Sequence, residues 1–152
     1  MQEQLLHRIW QRKRFDHTKL CTTSGKKLKI IHYGNYNTHA GPDFQNGHIQ
    51  IDGQNWFGHI ELHINSSDWK HHEHDVDAAY NNVILHVVYK DDKVVYTESG
   101  RILPTLILED RIDQQVLEVY EKLKGSLDHI PCHPHLQKID RDKLGLFMHS
   151  LL

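Results

Sequence analysis

Asp43, Glu61, His63, His72, His74 and Asp77 are the residues whose types and spacing can do chemistry. Glu61 and His63 stand two apart, and residues two apart on a strand face the same way, so a carboxylate and an imidazole project side by side. Asp43 follows Pro42 at the end of a turn-rich stretch and opens the run that leads to them. Two carboxylates converging on one sheet edge suit Mg²⁺ or Mn²⁺, which take oxygen ligands and can activate water for attack at phosphorus. In that arrangement Asp43 and Glu61 hold the ion, and His63 acts as a general base or orients the water. His72, His74 and Asp77 form a second group, in which imidazoles and a carboxylate at short spacing suit Zn²⁺, Mn²⁺ or Fe²⁺. The expected catalytic set is Asp43, Glu61 and His63, and the expected metal set is Asp43, Glu61, His72, His74 and Asp77. Against this stand plainer readings: structural carboxylates on a half-buried strand, and a solvated polar loop over residues 71–75.

Other polar residues attract less weight. His86 lies in an apolar run, where a hydrogen-bonded core histidine is expected. Cys132, His133 and His135 resemble half of a zinc site without a second half. Trp56 and Trp69 are expected to pack at a hairpin and a crossover, with stacking on bases the minor alternative.

These side chains need elements to place them. Leu5, Leu6, Ile9 and Trp10 recur at helical spacing, which predicts an amphipathic N-terminal helix covering a sheet. Residues 28–32 read as a short strand. Gly34, Asn35, Asn37, Gly41 and Pro42 spell a loop. Ile49 and Ile51 alternate with polar neighbours, and Asp52-Gly53 predicts a hairpin turn into a return strand over residues 56–64. That strand is expected to put Ile60, Leu62 and Ile64 toward the core and His59, Glu61 and His63 on the other face. Residues 66–82 are long enough for a crossover, with a turn or two of helix over 76–80. Residues 83–89 are apolar on both faces apart from His86, as a central parallel strand would be. Residues 94–96 and 102–108 read as further strands around a Ser99-Gly100 turn, and Pro104 points to an edge or a bulge. Asp110 is placed to cap a helix carrying Ile112, Val116, Val119, Tyr120 and Leu123, which Gly125 stops.

The 152 residues suffice for one main unit. We place it at 1–125, with 126–152 as the start of a C-terminal helical region that is cut short. Leu144, Phe147, Met148, Leu151 and Leu152 form an apolar pattern that runs to the last residue, so the missing remainder of that region is an expected partner. A formal charge of −2 excludes a global basic field, so any DNA or RNA contact must be local. Cys21 and Cys132 form no CxxC pair, as expected in a reducing compartment, and no apolar stretch approaches the roughly 20 residues that span a bilayer. A cytoplasmic protein with no membrane partner is expected. Fifteen histidines are present, nine of them between His32 and His86, so the enrichment falls where the candidate chemistry lies.

Gly41-Pro42-Asp43-Phe44, Trp56-x-Gly58-x-Ile60-Glu61-Leu62-His63, Ser67-Asp68-Trp69, His72-x-His74-x-x-Asp77 and Ala79-Tyr80-Asn81-Asn82 closely resemble an uncharacterised bacterial family known only as a domain of unknown function. That likeness runs from Glu3 to the Ile130-Pro131-Cys132 region and implies no activity. More distantly, the order helix-strand-strand-strand-helix-strand, with Asp43 opening a hairpin and Glu61-Leu62-His63 on the next strand, resembles the PD-(D/E)XK nucleases. Position 63 is histidine where that pattern has lysine. The resemblance implies a restriction-endonuclease-like mixed α/β sheet flanked by helices, and a metal-dependent phosphodiesterase. The alternatives are a non-catalytic metal- or partner-binding module and a metal hydrolase of other substrates, and the rival fold is a cupin-like barrel with a His/Glu site.

Overall fold

The N-terminal apolar stripe folds as helix α1 (Glu3–Gln11) and buries Leu5, Leu6, Ile9 and Trp10. The computed structural model describes residues 2–124, and the C-terminal region expected from 126 onward lies outside them, as do Cys132, His133 and His135. The chain divides into two units, Met1–Asp113 and Gln114–Leu152.

The first unit is a mixed α/β arrangement around one six-stranded sheet. Its strands are β1 (Leu28–His32), β2 (Asn35–Tyr36), β3 (Phe44–Ile51), β4 (Gln54–Asn65), β5 (Val83–Lys90) and β6 (Thr105–Ile107). The order across the sheet is β1-β3-β4-β5-β6, with β2 also paired to β3. β3 and β4 form the antiparallel hairpin expected from Asp52-Gly53, both of which adopt positive φ in the turn. β4, β5 and β6 then run parallel, and β6 closes the sheet at an edge beside Pro104.

Parallel pairing requires a crossover, and residues 66–82 supply it with a short helix α2 (Asp68–His71) and a 3₁₀ turn at Ala78–Tyr80. Trp69 anchors this connection with Tyr80, Val83, Val95 and Leu103 in a buried cluster, its Nε1 donating to the Tyr96 carbonyl at 2.9 Å. Asp92 ties the start of the crossover to the end of β5 by accepting from Ser66 Oγ, Ser67 N and Ser67 Oγ.

Four local expectations are corrected. α2 forms where only polar loop is expected. Residues 94–96 make no strand of the sheet and join Ile102 through a single bridge at Tyr96, because the chain there covers Trp69 rather than extending a ladder. The helix expected to start at Asp110 begins at Gln114 as α3 (Gln114–Lys124), with a 3₁₀ turn at Glu109–Arg111 before it. The fourth concerns β4. Ile60 and Leu62 are buried as expected, but so are Glu61 and His63 on the opposite face, because α1 and the crossover lie over it. The polar face of a presumed half-buried strand is therefore interior. Among the described residues no helix is long and apolar enough to cross a membrane.

Candidate metal centre

β4 carries Glu61 and His63 on one face, and the parallel register with β5 sets His86 directly beside Glu61. His72 and His74 arrive from the crossover, where α2 ends in a left-handed turn. Glu73 takes φ 61°, its N–H bonds to the Lys70 carbonyl at 3.0 Å, and the His74 N–H bonds to the Trp69 carbonyl at 3.0 Å. These paired bonds close the helix C-terminus and turn the chain back, so His74 packs against the sheet while His72 stays exposed. The His74 ring stacks on Tyr80 at 3.7 Å and stands edge-on to Trp69 at 5.3 Å.

Three histidines converge. Candidate ligand atoms of His63, His72 and His74 all lie within 4.8 Å of one another. His63 Nε2 is 3.0 Å from His72 Nδ1, and Glu61 Oε1 lies 3.3 Å from His74 Nε2 and 3.9 Å from His63 Nε2. Donors around a single ion with bonds of roughly 2.0–2.2 Å stand about 3–3.5 Å apart; the His63–His72 and Glu61–His74 contacts have that spacing, while the widest separation in the triad, up to 4.8 Å, would have to close on an ion. The His63 triad could thus hold a metal ion, with Glu61 beside it.

Carboxylates surround this group. The Asp43 N–H donates to Glu61 Oε2 at 2.9 Å, and Asp43 Oδ2 accepts from the Leu62 N–H at 3.0 Å. Asp43 Oδ2 is also 3.2 Å from His7 Nε2, and Glu3 Oε1 is 4.0 Å from His63 Nε2. Burial, reinforced by the negative charge of Asp43, pushes the Glu61 carboxyl up to about 8. His63 is driven well below its ordinary value by burial and by the neighbouring histidines. For His7, burial opposes protonation, but the hydrogen bond and charge of Asp43 outweigh it and the net shift is upward. The site thus sets buried His63 and His74, whose protonation burial disfavours, beside His7, whose protonation Asp43 favours.

Of the residues singled out from the sequence, Asp43, Glu61, His63, His72 and His74 are brought together. Asp77 is not in the triad. It is exposed and caps the 3₁₀ turn, accepting from the Ala79 N–H at 2.8 Å. Two neighbours of the site, Glu3 and His7, escape the sequence reading, and a third, His86, is read there only as a core histidine. Glu3 and His7 are four apart on α1, so a shared helical edge beside the apolar stripe was the available signal. His86 is a buried core histidine as expected, but its hydrogen bond goes to His63, Nε2 to Nδ1 at 2.8 Å.

A family model described as a protein of unknown function (DUF2851) matches residues 3–152. No curated protein matches the chain, and no solved structure does.

Proposed function

This chain belongs to that family of unknown function, and from there we propose that it is a divalent-metal-dependent phosphodiesterase of nuclease-like type. The observation that carries the reading is the convergence of His63, His72 and His74 with Glu61 in contact. Three imidazoles and a carboxylate suit Zn²⁺ or Mn²⁺ better than Mg²⁺, whose preference is for oxygen. A bound ion of this kind supplies Lewis acidity and an activated water. The protein's own groups do the rest. Asp43 orients Glu61 through its backbone N–H and holds His7 through its carboxylate. His7, whose protonation Asp43 favours, can bring positive charge to the edge of the site, where a phosphodiester's negative charge would lie. Lysine is absent at position 63, and His7 offers a substitute for the cation.

The finer fold reading belongs to the same proposal. Helix α1, the β3–β4 hairpin opened by Asp43, Glu61-x-His63 on β4, the crossover and β5 follow the order of a restriction-endonuclease-like core. The extra strand β2 is an addition to that order.

A second reading is a metal site without catalysis. It is favoured by the enclosure of His63 at 0% and Glu61 at 4% exposure, since structural metal sites are closed. Exposed His72 offers the open side that catalysis needs.

Metal titration by calorimetry, followed by cleavage assays on a chromogenic phosphodiester and on single- and double-stranded DNA and RNA, tests these readings. We expect binding of one Zn²⁺ or Mn²⁺ per chain and ion-dependent cleavage lost in His74→Ala. Binding without cleavage selects the non-catalytic site. No binding of either ion defeats both.

A further inference from the structure

His86 is buried on β5 at 0% exposure, packed 5.3 Å from Trp69, and reaches no carboxylate or solvent. Among the described residues its ring makes one hydrogen bond, to His63, and its Nδ1 has no partner. The 2.8 Å contact between two ring nitrogens requires one proton between them, and the ring that supplies it decides what His63 can do with its other nitrogen. A neutral imidazole offers one N–H and one lone pair. If His63 Nε2 is to present its lone pair to an ion beside His72 and His74, the His63 proton must sit on Nδ1. That N–H then donates to His86 Nε2, and the His86 proton must sit on Nδ1.

We propose that His86 is a positioning residue that fixes the tautomer and ring orientation of His63, acting as the hydrogen-bond acceptor behind a metal ligand. This rests on the metal reading above. Metal-binding histidines usually donate their second N–H to a carboxylate or carbonyl, and here a buried imidazole takes that place.

Without an ion the same contacts admit the reverse arrangement, in which His86 Nε2–H would donate to His63 Nδ1 and His63 Nε2–H to His72 Nδ1 at 3.0 Å. The unpartnered His86 Nδ1 is then a bare acceptor, which a protein interior tolerates better than a bare donor. Loading the site therefore reverses the chain: each ring moves its single proton from Nε2 to Nδ1, and the pair gains and loses none.

Nitrogen-15 NMR of the histidine-labelled full chain reads the tautomers directly, with chelator and then with Zn²⁺. We expect His63 and His86 both to change from Nε2–H to Nδ1–H on adding Zn²⁺. A His86 that carries its proton on Nε2 with Zn²⁺ bound overturns the proposal and leaves the metal centre standing. In parallel, His86→Gln keeps an acceptor near the Nε2 position, whereas His86→Phe keeps the ring shape without one. Zn²⁺ affinity should fall about 10- to 100-fold in His86→Phe and stay within about threefold of wild type in His86→Gln. Equal affinity in the Phe variant overturns the assignment, and should that variant not fold, the wild-type tautomers decide. No Zn²⁺ binding to the wild type removes the metal centre and this inference together.

Discussion

The backbone N–H of Asp43 donates to the Glu61 carboxylate at 2.9 Å, while the Asp43 carboxylate accepts from the backbone of Leu62, the next residue along β4. The two acids are thereby locked in register across the hairpin. Glu61 is held up at about 8 in the ion-free protein, so at neutral pH it is mostly uncharged. Glu61→Gln preserves shape and an acceptor for Asp43 and removes an ionisation that the fold disfavours, so we expect apo stability at neutral pH no lower than wild type but Zn²⁺ affinity reduced on the order of 10- to 100-fold. Calorimetry and thermal melts on the two proteins check this, and an unchanged affinity would remove Glu61 from the ligand set.

The ion-free stability should peak near pH 6.5. His63, His74 and His86 have folded values below their ordinary 6.5, so as pH falls below 6.5 the unfolded chain takes up protons that the fold refuses, and stability drops. Glu61 and Glu3 are raised above 4.5, so as pH rises from 4.5 toward the Glu61 value of about 8 the fold keeps protons that the unfolded chain has lost, and stability drops in that direction. Below 6.5 the histidines outnumber the acids. Replacing His86, whose folded value is about 3, with Phe should flatten the acid limb by about 1.4 kcal/mol per pH unit. Urea unfolding with chelator between pH 5 and pH 8 measures both limbs, and an unchanged slope in His86→Phe would contradict the direction of this effect.

Glu73 pays a backbone cost for a left-handed φ of 61°. Glu73→Gly should raise stability by about 0.5–1 kcal/mol, because glycine takes this position at a helix end without a Cβ clash. Glu73→Ala keeps the Cβ and should give no gain. Thermal denaturation of the pair separates the backbone effect from loss of the carboxylate.

Gly58 sits where β4 meets the end of the crossover. A Cβ there would be driven into the Asn82 carbonyl oxygen and lie 2.6 Å from Ile84 Cγ2. The Asn82 carbonyl also accepts from the His59 N–H at 2.8 Å, so it cannot withdraw freely. Gly58→Ala should destabilise by about 1–3 kcal/mol through overpacking, visible as a lower urea midpoint. A midpoint equal to wild type would show that the first β4–β5 pair is softer than it looks.

The sequence displays some of this arrangement openly. Alternation around Asp52-Gly53 gives the hairpin, and the two-sided apolar run at 83–89 gives the parallel central strand, because both are direct records of burial. Glu61 and His63 read as solvent-facing, since alternation shows which residues differ from their neighbours but not what packs over them. Helix α1 does that packing, and its contribution of Glu3 and His7 depends on a tertiary approach that no local pattern encodes. Asp77 shows the reverse case: spacing groups it with His74, while in the structure its carboxylate accepts from the Ala79 N–H and caps the 3₁₀ turn. His86 reads correctly as buried, and only the register of a parallel ladder reveals that its neighbour is Glu61 and its partner His63.

The crossover over residues 66–82 has a consequence for the order of folding events. A parallel strand pair is a nonlocal contact that forms only once the intervening loop has closed, and such closures slow folding. His63 precedes this loop, His72 and His74 lie inside it, and His86 follows it. An ion gathered by the first three would close the near half of the loop before β5 arrives, leaving a shorter search for the β4–β5 ladder. Refolding in the presence of Zn²⁺ would then be faster than with chelator, and the ion would act as a kinetic template as well as a resident of the finished site.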